Sequence, residues 1–362
     1  MTKELFEGVF NLPDLSRLVA GFLGALIITW GSIPVIVKIS KYKKLYSYPN
    51  DRTSHSNETP TLGGLAVIAG FTLSVILFSP RINADELLYV LGGLITLFFI
   101  GIKDDIMIID PKKKFIGQIF ASLIVVWIGG IRVTNFHNAL GIETVSPWIS
   151  IIFTIFLFLV LINGFNLIDG IDGLASAVGI VASVFFGIWF ILNGYINYGV
   201  MAVSLCGALI AFFRFNVFGK QNKIFLGDTG SLIIGLVVAV MTVKFLEYDL
   251  TSTSGYRFRA APAVVIGLLI FPLFDTLRVF LLRLRNGKPP FKADRNHIHH
   301  SLLTLGFSHL NATLIILTVN LLFLTIAILL QAIGIVPLIL LMLLLVAGLS
   351  YIPGLILSHR RH

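Results

Sequence analysis

The sequence is short of charge. Only 12% of its 362 residues are Asp, Glu, Lys or Arg, and the 18 acidic residues are outnumbered by 27 Lys and Arg. A soluble domain carries about 25% charged residues, so half that amount cannot clothe a water-facing surface. Cysteine is nearly absent: Cys206 stands alone in an apolar run, which excludes an intramolecular disulfide and argues against a disulfide-built extracellular fold. No repeat with a period of 20–50 residues occurs, and no low-complexity stretch or long linker divides the chain. A cleavable signal is not expected, because Glu4, Glu7 and Asp14 stand where a basic region would be and no small-residue cleavage site follows. Apolar side chains are what the sequence has in plenty: 56% hydrophobic residues, 30 Phe and a mean hydropathy of +0.93. Disorder is thereby excluded. The net charge of +9 alone would suggest a nucleic-acid partner, but with charge this sparse none is expected, and the bilayer is the better solvent.

Apolar runs of near-bilayer length fall at 18–39, 62–79, 87–102, 115–130, 148–163, 174–192, 196–213, 231–247, 260–281, 310–332 and 336–357. The expected fold class is therefore all-α, a polytopic integral membrane protein of about 11 transmembrane helices, read as one domain over 1–362. The third and fifth runs are short for a full span and are expected to end at a recessed polar surface. Twenty of the 27 Lys and Arg collect on one set of loops and span ends, among them Lys38–Lys44, Lys112–Lys114 and Arg278–Arg295. That side is assigned to the cytoplasm, which puts the N-terminus outside and the C-terminus inside.

The chemically interesting residues gather on the same side. The first inner loop, Asp51 to Gly64, carries Arg52 and His55 and turns into the second span through Pro60 and Gly63-Gly64, glycines that let backbone approach a ligand or a neighbouring helix closely. The second begins with Asp104-Asp105 directly after an apolar run and ends Lys112-Lys113-Lys114. Two adjacent acids at a membrane boundary repel and lose hydration unless a cation offsets them. The third is the most specific: Asn163, Asn166, Asp169 and Asp172 recur every third residue among Gly164, Gly170 and Gly173. That spacing lines one side of a helix, while the glycines argue for helix interrupted at a polar cavity. In the fourth, Asn216 precedes Phe225-Leu226-Gly227-Asp228-Thr229-Gly230-Ser231, where Asp228 reads equally as a helix N-cap or a metal ligand. The fifth carries Arg295 and His297-Ile298-His299-His300. Zinc would need further Cys or His at defined spacing. Acids and amides supply oxygen donors, so Mg²⁺ is the better match, and the His and Arg suit an anionic substrate.

Four motifs in this order, Asp104-Asp105, Asn-x-x-Asn-x-x-Asp-Gly-x-Asp-Gly-Leu-Ala from Asn163, Gly227-Asp228-Thr229-Gly230-Ser231 and His297-x-His299-His300, resemble those of the polyprenyl-phosphate N-acetylhexosamine-1-phosphate transferases, relatives of phospho-MurNAc-pentapeptide transferase. The resemblance runs from about Asp51 to Ser301, and its last motif departs from Pro-x-His-His-His and looks like the UDP-GlcNAc branch. It implies eleven helices and a Mg²⁺-dependent enzyme, with Mn²⁺ as a substitute ion. It further implies that undecaprenyl phosphate attacks the β-phosphorus of a UDP-N-acetylhexosamine, UDP-GlcNAc above all. UMP is released, and a lipid-linked cell-envelope glycan such as O-antigen is begun at the cytoplasmic face of the inner membrane. Membrane lipid and a homodimer complete the implied partners.

By the same resemblance Asp228 is the Mg²⁺ ligand and Asp105 helps to hold the metal–diphosphate geometry. Asp104 deprotonates the lipid phosphate or attacks as nucleophile, and Lys114 lies near the phosphates. Asn163, Asn166, Asp169 and Asp172 line the nucleotide site, Phe225 stacks on uracil, and Asn216 is a further substrate-binding residue. Arg295, His297, His299 and His300 contact diphosphate or sugar, His299 with a catalytic part, while Arg52 and His55 add basic contacts. Two rivals are weighed: a secondary transporter, which predicts acids near mid-span and symmetric halves, and an intramembrane aspartyl protease, which needs two acids deep in facing helices.

Overall fold

The computed structural model of the protein describes residues 12–47, 59–81, 85–107, 109–285, 287 and 297–359. The helices are α1 (Leu12–Tyr42), α2 (Gly63–Phe78), α3 (Asp85–Ile106), α4 (Pro111–Leu123), α5 (Pro147–Ile168), α6 (Leu174–Leu192), α7 (Ile196–Phe218), α8 (Gly227–Thr251), α9 (Ala261–Leu268), α10 (Ile270–Arg285), α11 (Ile298–Thr304), α12 (His309–Leu329) and α13 (Ile335–His359). Strand is confined, among the described residues, to two small antiparallel ribbons, β1 (Tyr46–Ser47) with β2 (Thr59–Pro60) and β3 (Asn135–Ala139) with β4 (Ile142–Thr144).

Helix occupies each of the eleven apolar runs. Eight helices among the described residues are long and apolar enough to cross a membrane, or nine when the bent pair α9–α10 counts as one span. The protein is thus an all-α, multi-pass membrane protein. The run at 62–79 forms a helix of 16 residues, and the run at 115–130 is α4 continued by a π-turn over Ile124–Ile128.

Two expectations are corrected. The third and fifth runs are not short helices: α3 and α5 each have 22 residues, because helix continues past the apolar stretch through Asp104-Asp105 and through Asn163 and Asn166. The run at 260–281 is not one rod but bends by 77° between α9 and α10. Pro272 lacks the N–H that would continue the ladder there, and the freed groups find a partner in α12: Asn320 Nδ2 donates to Leu268 O (2.6 Å) and its Oδ1 accepts from Phe271 N (3.3 Å). Irregular backbone at membrane depth survives only when it is satisfied by protein in this way.

Helix α8 is the axis of the bundle. Its whole apolar window is buried, and α2, α3, α5 and α6 surround it. By contrast α1 packs on α2 and α7 and turns Val19, Leu23, Ile27 and Trp30 outward, an apolar face suited to lipid. Contact with α8 is close because glycine permits it. A Cβ on Gly64 would lie 2.2 Å from Gly230 N, and one on Gly101 2.4 Å from Thr229 Cα. Gly64→Ala is therefore expected to destabilise the protein by about 1–3 kcal/mol through overpacking. Thermal unfolding in detergent checks this, and an unchanged midpoint would show that α2 can move off α8. At the far end of α8, Lys244 pairs with Glu86 of α3 (2.5 Å) and lies over the rings of Tyr198 and Tyr248. This ion pair, with Lys244 buried and Glu86 partly exposed, ties the two helices together.

Candidate active site

The polar ends of α3, α4, α5 and α8 meet at one end of the bundle. Asp104 and Asp105 occupy the last turn of α3. Helix α4 starts after Asp110, whose carboxylate accepts from Lys112 N and caps it, so the first turn of α4 presents Lys114. Asn163 and Asn166 lie on the last turns of α5, which stops at Ile168, and the Asp169–Gly173 turn leads to α6. Asp228 sits in the first turn of α8. Backbone pairing holds that entry in place: Phe225 N donates to Pro60 O (2.8 Å), while Gly63 N and Gly64 N donate to Phe225 O (2.9 Å) and Leu226 O (2.8 Å). The glycine pair of the first loop thus serves helix packing.

Lys114 is the hub. Its Nζ lies 2.9 Å from Asp104 Oδ2 and 2.7 Å from Asp228 Oδ1. Asn166 Nδ2 donates to the same Asp228 oxygen and to Ser231 Oγ (2.9 Å), and Asp104 Oδ1 accepts from Ile109 N (2.8 Å). Burial works against the Lys114 ammonium, but the carboxylates of Asp228 and Asp104 outweigh it and raise its pKa above the ordinary lysine value. Two acids converging on one cation, one of them steadied by the Asn166 amide N–H, form a hard-oxygen centre. Mg²⁺ is held in such places by one or two carboxylates plus substrate phosphates, so the donor set fits that ion.

Asp169, at the C-cap of α5, is pushed well above the ordinary aspartate range by burial and by the charges of Asp228, Asp105 and Asp172. Nearby positive charge would favour its ionised form.

Several neighbouring residues are tied into the frame around this centre. Asp105 has both oxygens engaged: Oδ1 accepts from Asp228 N (2.6 Å), and Oδ2 from Thr229 N (3.0 Å) and Thr229 Oγ1 (2.6 Å). It caps the start of α8 from a different helix, satisfying amides that the first turn leaves orphaned, and Asp228 is not the N-cap. Gly227 between them has φ +73°, and a Cβ there would meet Asp105 Oδ1 at 2.6 Å and Thr61 O at 2.2 Å. Asn163 forms an amide pair with buried Gln118 of α4 (2.8 and 3.3 Å), which locks α4 to α5 and so aims Lys114. Asn216 is buried: its Oδ1 accepts from Gly173 N (2.7 Å) and its Nδ2 donates to Ile224 O (2.9 Å). It shapes the Asp169–Gly173 turn through these two bonds. Asp172 pairs with Lys223 Nζ (2.7 Å), lies 3.7 Å from His309 Nδ1 and anchors the turn to α12.

The histidines divide. His297 is buried with Nδ1 2.7 Å from Asp275 Oδ2 of α10, and the adjacent Ile298 N donates to Asp275 Oδ1 (3.1 Å). His299 is fully buried, and burial lowers its pKa to about 3, so its ring is neutral. Both rings are thus buried in this arrangement, His297 against Asp275 and His299 beside Gly170. His300 is half-buried, with its ring centroid 4.4 Å from that of His299. Phe225 is half-buried with Lys223 Nζ 5.8 Å from its ring centre. Arg52, His55 and Arg295 lie outside the described residues.

Gln118, Lys223 and Asp275 are residues at or near the site to which motif reading gives no role, and Thr229 is read only as part of its motif. For Asp275 a signal existed, since it is an acid deep within an apolar run; for Gln118 it was a lone amide on a short apolar helix. Neither rival reading gains from the geometry: Asp104, Asp105, Asp169 and Asp228 gather at helix ends, where a transporter would want its acids at mid-span.

The chain matches glycosyl transferase family 4 over residues 87–246. It is 31% identical over 295 residues to the decaprenyl-phosphate N-acetylglucosaminephosphotransferase of Mycolicibacterium smegmatis, covering 75% of this chain and 71% of that one. It is 27% identical over 315 residues to the undecaprenyl-phosphate alpha-N-acetylglucosaminyl 1-phosphate transferase of Yersinia pestis, covering 84% and 81%, and 28% identical over 282 residues to the enzyme of that name from Escherichia coli K12, covering 77% and 74%.

Proposed function

Because this chain belongs to glycosyl transferase family 4, a family of phosphosugar transferases, we propose that it transfers GlcNAc-1-phosphate from UDP-GlcNAc to a polyprenyl phosphate such as undecaprenyl phosphate. An oxygen of the lipid phosphate forms a bond to the β-phosphorus while the bond from that phosphorus to the oxygen bridging the α-phosphate breaks, and UMP leaves with the bridging oxygen. The observation that carries this reading is the Asp104–Lys114–Asp228 bridge at the helix ends. Two anions must meet there, and a site that gathers cations and hard-oxygen donors at the membrane edge suits a lipid phosphate reaching a water-soluble nucleotide.

Asp228, steadied by Asn166, would hold Mg²⁺, which supplies charge neutralisation at the diphosphate when bound. Lys114 balances the two carboxylates and offers its ammonium to the phosphates. Asp104, fixed by Ile109 N, receives the proton of a monoanionic lipid phosphate. Direct attack is favoured over a covalent enzyme intermediate, since a phosphate monoester beside such cations is already an adequate nucleophile. Asp105 works through Asp228 by holding its backbone. The reaction would start a lipid-linked envelope glycan, O-antigen being one candidate product.

Incubating the purified protein with undecaprenyl phosphate, Mg²⁺ and a panel of UDP-sugars, and following UMP, tests the reading. Turnover with UDP-GlcNAc and none with UDP-MurNAc-pentapeptide is expected, and no UMP with any sugar would reject it. The site is assigned to the cytoplasmic face of the inner membrane, because 20 of the 27 Lys and Arg lie on that side. With Cys206 replaced by Ser, a cysteine at exposed position 221 is expected to react only from the cytoplasm and one at exposed position 253 only from outside. Reversed labelling would overturn the orientation.

A further inference from the structure

One buried polar group has no part in the reaction above. Asp275 in the second turn of α10, His297 just before α11 and His299 within it are each no more than 4% exposed. One ligand-type atom from each lies within 4.8 Å of the others. Asp275 Oδ2 and His297 Nδ1 are 2.7 Å apart, and the rings of His297 and His299 are 14° from parallel with centroids 5.3 Å apart. Ile298 N holds the other Asp275 oxygen, an outer contact of the kind that orients a ligating carboxylate. His299 is the unexplained member: both ring nitrogens are buried, and neither has a hydrogen-bond partner among the described residues. Burying polar nitrogens without partners is costly, so such groups call for an explanation.

We propose that Asp275, His297 and His299 bind a second cation, a zinc-class transition-metal ion, separate from the hard-oxygen centre at Asp228. Two imidazoles and one carboxylate form a borderline donor set that favours such an ion over Mg²⁺, and three protein ligands leave a fourth position for water. Zinc–ligand lengths of about 2.0–2.2 Å place neighbouring ligand atoms roughly 3.3 Å apart. The close pair opens slightly and the wider pairs contract to reach that spacing. The ion would pin α11, and His300 with it, to α10. It would also fix the Asp169–Gly173 turn, since His299 lies against Gly170, where a Cβ would come 2.4 Å from its Nε2. Two irregular segments flanking the carboxylate centre would thereby be held in place. The inference does not rest on the proposed transfer reaction, because its readout is metal content.

The test uses the full chain in detergent with any purification tag removed, loaded with zinc, dialysed against Mg²⁺ buffer and measured for zinc by mass spectrometry. The unsubstituted protein and Asp228→Asn are each expected to retain about one zinc per chain, and His299→Ala about a tenth of that or less. Equal zinc in the unsubstituted protein and His299→Ala, at either level, would overturn the site, as would displacement of the zinc by excess Mg²⁺. Since His299→Ala can loosen the fold, Co²⁺ is also titrated into the unsubstituted protein. Intense visible bands of four-coordinate Co²⁺, lost on adding zinc, are expected; only the weak bands of six-coordinate Co²⁺ would reject the assignment.

Discussion

Asp228→Asn is expected to lower kcat by about a thousandfold or more while leaving the melting midpoint of the protein nearly unchanged. The substitution keeps the shape of the side chain and its place in the first turn of α8, so no packing is lost. What it removes is the charge that meets Lys114 at 2.7 Å and gives a hard cation its anchor. Removing a single preorganised donor at a transition state already costs about 10²–10³ in rate, and loss of a metal anchor adds to that because the diphosphate then loses its Lewis acid. EDTA should silence the unsubstituted enzyme, with Mg²⁺ or Mn²⁺ restoring it. Assaying UMP release across a Mg²⁺ series decides the matter. Recovery of near-normal kcat at saturating Mg²⁺ would mean that Asp228 only tightens metal binding, and full activity in EDTA would remove the metal from the reaction.

What the sequence displayed was residue type and order; what it concealed was partnership. Helix stands at every apolar run because burial of so many Leu, Ile, Val and Phe leaves the backbone no other way to satisfy itself in a bilayer. The motifs bearing Asp104, Asn166 and Asp228 do converge, since each closes or opens a helix at the same end of the bundle. Yet Asp104 and Asp105 look alike in the sequence and differ completely in the fold. Successive residues on a helix point about 100° apart, so one acid reaches Lys114 and the other the start of α8. The donors that engage Asp105 lie 123 and 124 residues away, the acceptor for Gly173 N lies 43 away, and the Gln118–Asn163 pair spans 45. No local pattern reports such pairings. The α9–α10 bend is different, because Pro272 stood in the run as a visible break signal and only the depth of the bend and its repair by Asn320 needed the tertiary structure.

The two adjacent acids are expected to fail in opposite ways. Asp104→Asn should abolish turnover, by about a thousandfold or more, with stability held or raised. Its carboxylate shares one ammonium with Asp228 at 2.9 and 2.7 Å, and removing one of two crowded negative charges relieves repulsion while Asn still accepts from Ile109 N. Asp105→Asn should instead lower stability. One of its two side-chain positions must become an NH₂ group, and both positions face N–H or O–H groups of Asp228 and Thr229. A donor is thus forced against donors at the buried start of α8, and hydrogen bonds to a charged group worth about 1.5–3 kcal/mol each are weakened or lost. The entry of α8 then loosens, and Asp228 shifts because its own backbone N–H was one of the groups being held. Unfolding midpoints measured beside kcat separate the cases. Asp105→Asn should melt lower, and Asp105→Glu, which keeps the charge but lengthens the arm, should regain stability only in part. Binding of the nucleotide sugar should survive in Asp104→Asn. If Asp105→Asn melted like the unsubstituted protein and lost only turnover, Asp105 would belong with the reacting groups and not with the frame that positions them.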